Sequence, residues 1–144
     1  MRIEEELKGV EDTLDTMRED NRSIPIIVEG KKDVEALRAL GFEGVIIKIK
    51  GRKTIFHIIE GMRGKYEEVI VLTDWDHTGR RLAGRIKRAC RANSIKPDME
   101  YRRRLIKHLK KEIKDVESIP PFIIRARSLV RNPRKRRNEE NREN

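Results

Sequence analysis

Two aspartates stand two residues apart as Asp74-Trp75-Asp76, with His77-Thr78-Gly79 directly after them. Paired carboxylates suit a hard divalent cation such as Mg²⁺ or Mn²⁺, which takes one or two carboxylates and completes its shell with water and substrate phosphates. A simpler role competes, because Asp76 or Thr78 could cap a following helix. A pair that closes an apolar run and precedes a basic helix favours the metal. Glu29 also closes an apolar run, and Gly30 after it allows a tight turn or the close approach of a phosphate to the backbone. Asp33 reads as the N-cap of the next helix. Gly51-Arg52-Lys53-Thr54 resembles a phosphate-contacting turn, although it lacks Walker spacing. His57, His77 and His108 have no metal-ligand spacing; His77 is placed to touch a substrate, and Trp75 offers a ring on which a base could stack.

These residues need a scaffold that brings them together. Ile24 to Val28, Val45 to Ile49 and Val69 to Thr73 are short runs rich in β-branched residues, which read as parallel strands buried on both faces. Helical patterns separate them: Val34, Leu37 and Leu40, then Ile55, Ile58, Ile59 and Met62. Leu82, Ala83, Ile86, Ala89 and Cys90 mark a further helix whose outer face carries Arg and Lys. The order β-α-β-α-β-α predicts an α/β domain with a parallel sheet of about four strands, though the position of the fourth is not legible. Ligands of such sheets bind beyond the carboxyl ends of the strands, and there Glu29, Gly30, Gly51, Asp74 and Asp76 converge. An amphipathic helix over residues 1–23 is expected from Ile3, Leu7, Val10, Leu14 and Met17. The domain proper is expected over 24–131, with Ser118-Ile119-Pro120-Pro121 starting its last helix. Residues 132–144 hold no apolar side chain and are expected to be a disordered tail.

Charge narrows the partners. Of 144 residues, 42% are charged and 36% hydrophobic, with a net charge of +10. Residues 80–114 carry fourteen Lys or Arg against three acids, whereas the first 23 residues carry four basic and eight acidic side chains. A basic block of that density attracts polyanions, nucleic acid foremost, with a solvated surface as the bland alternative. Arg80, Arg81, Arg85 and Arg88 are the candidate phosphate contacts on the helix; Gly30, Lys31, Lys32, Gly51, Arg52 and Lys53 are those at the strand ends. The wealth of Lys, Arg and Glu also suits a hot habitat. Cys90 is the only cysteine, which excludes a disulfide framework and a cysteine zinc site. No signal region opens the chain and no apolar run approaches the ~20 residues that span a bilayer. A cytoplasmic protein with no membrane partner is therefore expected.

Val28-Glu29-Gly30-Lys31-Lys32-Asp33, followed some 45 residues later by Leu72-Thr73-Asp74-Trp75-Asp76-His77-Thr78-Gly79, resembles the signature of the Toprim domain. That family includes primases, topoisomerases, recombination proteins and bacterial ribosomal-RNA maturases. The resemblance covers roughly Ile24 to Lys96. Lys114-Asp115-Val116-Glu117 is also similar to small stand-alone Toprim proteins and to the maturases. The resemblance implies a compact parallel sheet, Mg²⁺ near Asp74 and Asp76, and Glu29 as general acid/base or further metal ligand. Tyr66 and Tyr101 lack the context of a strand-cleaving nucleophile, and no primase zinc domain fits in the chain.

Three functions follow from these readings. The first is metal-dependent phosphodiester cleavage or phosphoryl transfer on structured RNA, with DNA as the alternative substrate; Glu29, Asp74 and Asp76 would be its catalytic and metal-binding residues. The second is a nucleic-acid-binding module that does not cut, as one subunit of a larger machine. The third is a haloacid-dehalogenase-like phosphatase, since Asp74 to Thr78 fits Asp-x-Asp-x-Thr. That last reading leaves Glu29-Gly30 unexplained.

Overall fold

The computed structural model describes residues 2–143. The three β-branched runs form strands β1 (Ile26–Val28), β2 (Ile46–Lys48) and β3 (Glu68–Val71). A fourth strand, β4 (Lys96–Asp98), pairs with β3. All pairings are parallel and the order is β2-β1-β3-β4. The crossovers that parallel pairing requires are α2 (Lys31–Ala39), α3 (Ile55–Glu60) and α4 (His77–Ala92). The chain therefore leaves β1 for β2 on one side and returns to β3 on the other. That reversal makes the gap between β1 and β3 the topological switch point, where open α/β sheets take their ligands.

Period-two alternation divides the strand residues between two cores. Ile26, Val28 and Ile70 pack with the helices α1 (Ile3–Asp20), α5 (Glu100–Leu109) and α6 (Ile119–Arg131). Ile27, Val69 and Val71 pack with α3 and α4. The sheet is thus the middle of three layers. Ile3, Leu7, Val10, Leu14 and Met17 of α1 are all buried in the first core. Each contributes roughly 1.5–3 kcal/mol relative to exposure, so α1 is built into the body of the domain. Among the described residues, no helix is long and apolar enough to cross a membrane.

The stretch from Asn132, expected to be disordered, instead forms helix α7 (Pro133–Glu143) as far as it is described; Asn144 lies outside the described residues. The sequence argument rested on the lack of apolar residues to bury. A solvated helix needs none where its start is set and its residues favour it. The Asn132 side chain accepts the Lys135 N–H at 3.3 Å, Pro133 occupies the first helical position, and Arg125 on α6 bonds Glu139 at 2.9 Å.

Candidate functional site

Glu29 directly follows β1 and Asp74 lies just past β3, so both stand at the carboxyl ends of the two central strands. The Asp74 N–H donates to Glu29 Oε1 at 3.1 Å, a bond that closes the switch point between the strands. Glu29 is only 6% exposed. The Val116 N–H donates to Asp74 Oδ1 at 2.9 Å. The same turn is held from below by Trp75, whose backbone N–H bonds Lys114 O at 3.0 Å and whose indole N–H bonds Ile113 O at 2.7 Å. Trp75 is 9% exposed. Of the roles open to this indole, the structure shows that of a core side chain with its polar edge satisfied.

Asp76 has two faces. Its Oδ1 accepts the Gly79 N–H at 2.7 Å as the N-cap of α4, so the capping role foreseen for it is real. The residue is nonetheless exposed. Gly79 is required by space, since a Cβ there would lie 2.0 Å from Asp74 O. Thr73 Oγ1 donates to Gly79 O at 2.7 Å and fastens the turn at its far end. Asp33 is not the N-cap of α2, as the sequence suggested. Gly30 holds that position, and Asp33, three residues into the motif, accepts the Gly30 N–H at 3.0 Å. Gly30 has an ordinary extended backbone, and a Cβ there would meet Lys50 Cδ only at 3.9 Å. Conformational freedom is therefore not what this glycine supplies.

The carboxylates disturb one another. Burial pushes Asp74 up to about 7, the Val116 N–H opposes this, and Asp33, Glu29 and Asp115 push further in the same direction. Glu29 is raised by burial against the Asp74 N–H, then by Asp76 and Asp33, with Lys50 opposing. Asp33 is raised by burial against the Gly30 N–H, then by Glu117 and Asp115. Glu29, Asp33, Asp74, Asp76, Asp115 and Glu117 thus form one field of negative charge. Asp115 and Glu117 belong to the Lys114-Asp115-Val116-Glu117 motif, whose resemblance to Toprim proteins is the sequence signal for their place in this field.

Among the described residues, no group of three His, Cys, Asp or Glu side chains is already arranged to hold a metal ion. The donor chemistry fits Mg²⁺ or Mn²⁺ all the same. Among the described residues, Glu29, Asp74 and Asp76 each accept a backbone N–H through one carboxylate oxygen, and a carboxylate bonded in this way can still offer its second oxygen as a hard ligand. Such ions need only one or two carboxylates when water and phosphates complete the shell.

Cations surround this acidic field. Lys31, Lys32, Gly51, Arg52 and Lys53 are exposed at the ends of β1 and β2, and Arg80, Arg81, Arg85 and Arg88 are exposed on α4. Thr78, Arg81, Leu82 and Arg85 line a groove of about 250 Å³. Arg102 on α5 was missed as a site residue. It is 8% exposed, and its guanidinium bonds Thr73 O at 3.1 Å, Thr73 Oγ1 at 3.2 Å and Asp74 O at 2.8 Å. In the sequence it is one arginine of a run, Arg102-Arg103-Arg104, and nothing in that run singles it out.

The family model of the Toprim domain matches residues 24–119. The chain belongs to the Toprim domain family. Toprim domains are nucleic-acid-processing modules, and this membership accounts for both Glu29-Gly30 and Asp74 to Asp76, which the dehalogenase reading did not. The chain is 36% identical over 122 residues to a UPF0292 protein of Methanosarcina barkeri, covering 84% of this chain and 85% of that one. It is 36% identical over 125 residues to a UPF0292 protein of Methanocaldococcus jannaschii, covering 85% and 96%. The Toprim fold seen here is similar to that of a protein from Aquifex aeolicus, with a TM-score of 0.67 and 27% identity over 76% of this chain and 96% of that one. Thermophilic archaea are among the sources of such relatives, in keeping with the ionic surface of this Toprim protein.

Proposed function

We propose that this Toprim protein carries out metal-dependent phosphodiester cleavage or phosphoryl transfer on structured RNA, in preference to DNA. The observation that carries the reading is the bond from the Asp74 N–H to Glu29 across the switch point, which ties the carboxyl ends of the two central strands together at one sheet edge beside exposed cations. Asp74 and Asp76, with Glu29, are the residues that would hold Mg²⁺ or Mn²⁺. A bound ion would supply positive charge to the scissile phosphate and lower the pKa of a water molecule. The protein's own groups do the rest. Glu29, whose pKa is raised by burial, can pass a proton to or from a reacting oxygen. The arginines of α4 and the Lys31, Lys32, Arg52 and Lys53 cluster neutralise backbone phosphates on either side.

A second reading has a specific observation behind it. Glu29 and Asp76 both perform structural work, as strand tie and helix cap, which suits a binding module that does not cut. Incubating the protein with labelled structured RNA and duplex DNA, with Mg²⁺ or with EDTA, separates the two. Cleavage of RNA in Mg²⁺ that is lost in Glu29→Gln and Asp74→Asn supports the enzyme. Tight binding without turnover in either condition supports the module, and absence of binding to both nucleic acids defeats both readings.

A further inference from the structure

Among the described residues one cation is buried, the guanidinium of Arg102. Burying a charge is costly unless it is compensated. Among the described residues Arg102 makes no ion pair, and its hydrogen bonds go to two backbone carbonyls and one hydroxyl. A neutral donor could satisfy those acceptors, so they do not explain why this position carries a full charge. Burial disfavours the charged guanidinium most and Arg80 adds to that, while Glu29, Asp74 and Asp76 act on it from farther off in the opposite sense and supply partial compensation.

This arrangement differs from a salt bridge in a useful way. A guanidinium paired directly with Asp74 would occupy its carboxylate oxygens. Arg102 grips the backbone at Thr73 and Asp74 instead, and leaves those oxygens to other ligands. Through Thr73 Oγ1 it also engages the hydroxyl that fastens Gly79, so a single side chain fixes both ends of the turn bearing Asp74 and Asp76.

We propose that Arg102 is a positioning residue and the built-in counter-charge of the acidic centre: it sets the Thr73–Gly79 turn, offsets the mutual repulsion of Glu29, Asp74 and Asp76, and keeps their hold on a divalent cation weak enough for ready exchange. This rests on reading the acidic centre as a divalent-cation site. The two contributions pull metal affinity in opposite directions, and that makes them separable. Loss of charge tightens metal binding, whereas loss of positioning alone loosens it.

The test is calorimetric titration of Mn²⁺ into wild type, Arg102→Lys and Arg102→Met at pH 8, with melting curves in EDTA. Arg102→Met should melt below wild type yet bind Mn²⁺ at least about tenfold more tightly, the lower bound for removing a unit charge near a divalent ion even at a dielectric constant close to that of water, about 80. Arg102→Lys keeps the charge and should stay within about threefold of wild type by the same reasoning. Should Arg102→Met not fold, Arg102→Gln retains an amide donor for the carbonyls and carries the same prediction. Neutral variants that melt lower but bind Mn²⁺ no more tightly would make Arg102 a structural brace and overturn the proposal. Wild type that binds no Mn²⁺ would overturn the metal-site reading and this proposal together; wild type that binds it, without tightening in the neutral variants, would overturn this proposal alone.

Discussion

Asparagine at position 74 should stabilise the metal-free protein above neutral pH. Burial, together with Asp33, Glu29 and Asp115, raises Asp74 from 3.8 to about 7 against the opposing Val116 N–H. In the unfolded chain this carboxyl loses its proton near pH 4, while the folded protein holds it until about pH 7. Within that window the folded state binds the extra proton. Its contribution to stability is therefore complete below about pH 4 and is lost as the pH rises through about 7. At 1.36 kcal/mol per pKa unit the upper bound is about 4 kcal/mol. Water reaching this part-buried carboxyl screens the interaction, and roughly 1–2 kcal/mol is the working figure. Asp74→Asn removes the charge but keeps an oxygen for the Val116 N–H, now 2.9 Å from Oδ1. Guanidinium denaturation in EDTA should find wild type and variant alike at pH 4, and the variant more stable by that amount at pH 8. Millimolar Mg²⁺ should reverse the order by stabilising wild type through mass action. A variant less stable than wild type at pH 8 in EDTA, or an advantage equal at both pH values, refutes the reasoning.

Gly79→Ala places a Cβ 2.0 Å from Asp74 O and should lower stability by about 1–3 kcal/mol, as other overpacked sites do; an unchanged midpoint in denaturant would mean that the turn relaxes freely. Asp76→Ala removes the bond to the Gly79 N–H and should cost about 1 kcal/mol in EDTA and more in Mg²⁺, where the stabilisation by a bound ion is lost as well. Asp76→Asn keeps the cap, so melting curves in EDTA should place it near wild type, while its stabilisation by Mg²⁺ falls. Neutralising Arg81 and Arg85 in the α4 groove should weaken binding to all nucleic acids alike. The log–log salt slope, read by fluorescence anisotropy, should fall by about 0.7–0.9 for each phosphate that is no longer neutralised; an unchanged slope moves the binding face elsewhere.

Legibility in the sequence followed burial. β1 and β3 are buried on both faces, so Ile26-Ile27-Val28 and Val69-Ile70-Val71 appear as unbroken apolar runs. β4 is an edge strand of three residues, Lys96-Pro97-Asp98, none of them buried. It carries no hydrophobic signal, and its proline reads as a break although an edge tolerates one. The carboxylates at the strand ends were legible because topology alone puts Glu29 and Asp74 on one edge. What Asp33 does was not, since a shift of a few residues in the helix start separates an N-cap from a side chain that reaches back to one. Arg102 was hidden for a different reason. Its burial depends on which face α5 turns towards the sheet, and neighbouring Arg103 is exposed on the same helix.

The bonds from Asp74 and Trp75 to residues 113–116 also govern when the centre can exist during synthesis. Chains grow from the amino end, and a segment still inside the ribosome cannot dock. Glu29, Asp74 and Asp76 emerge early, yet the Asp74 carboxylate lacks its partner until Val116 has been made and has left the ribosome. A nascent protein therefore displays its acidic residues beside abundant ribosomal RNA with their geometry unset. Docking of residues 113–116 against Asp74 and Trp75 is what sets the geometry of those acids.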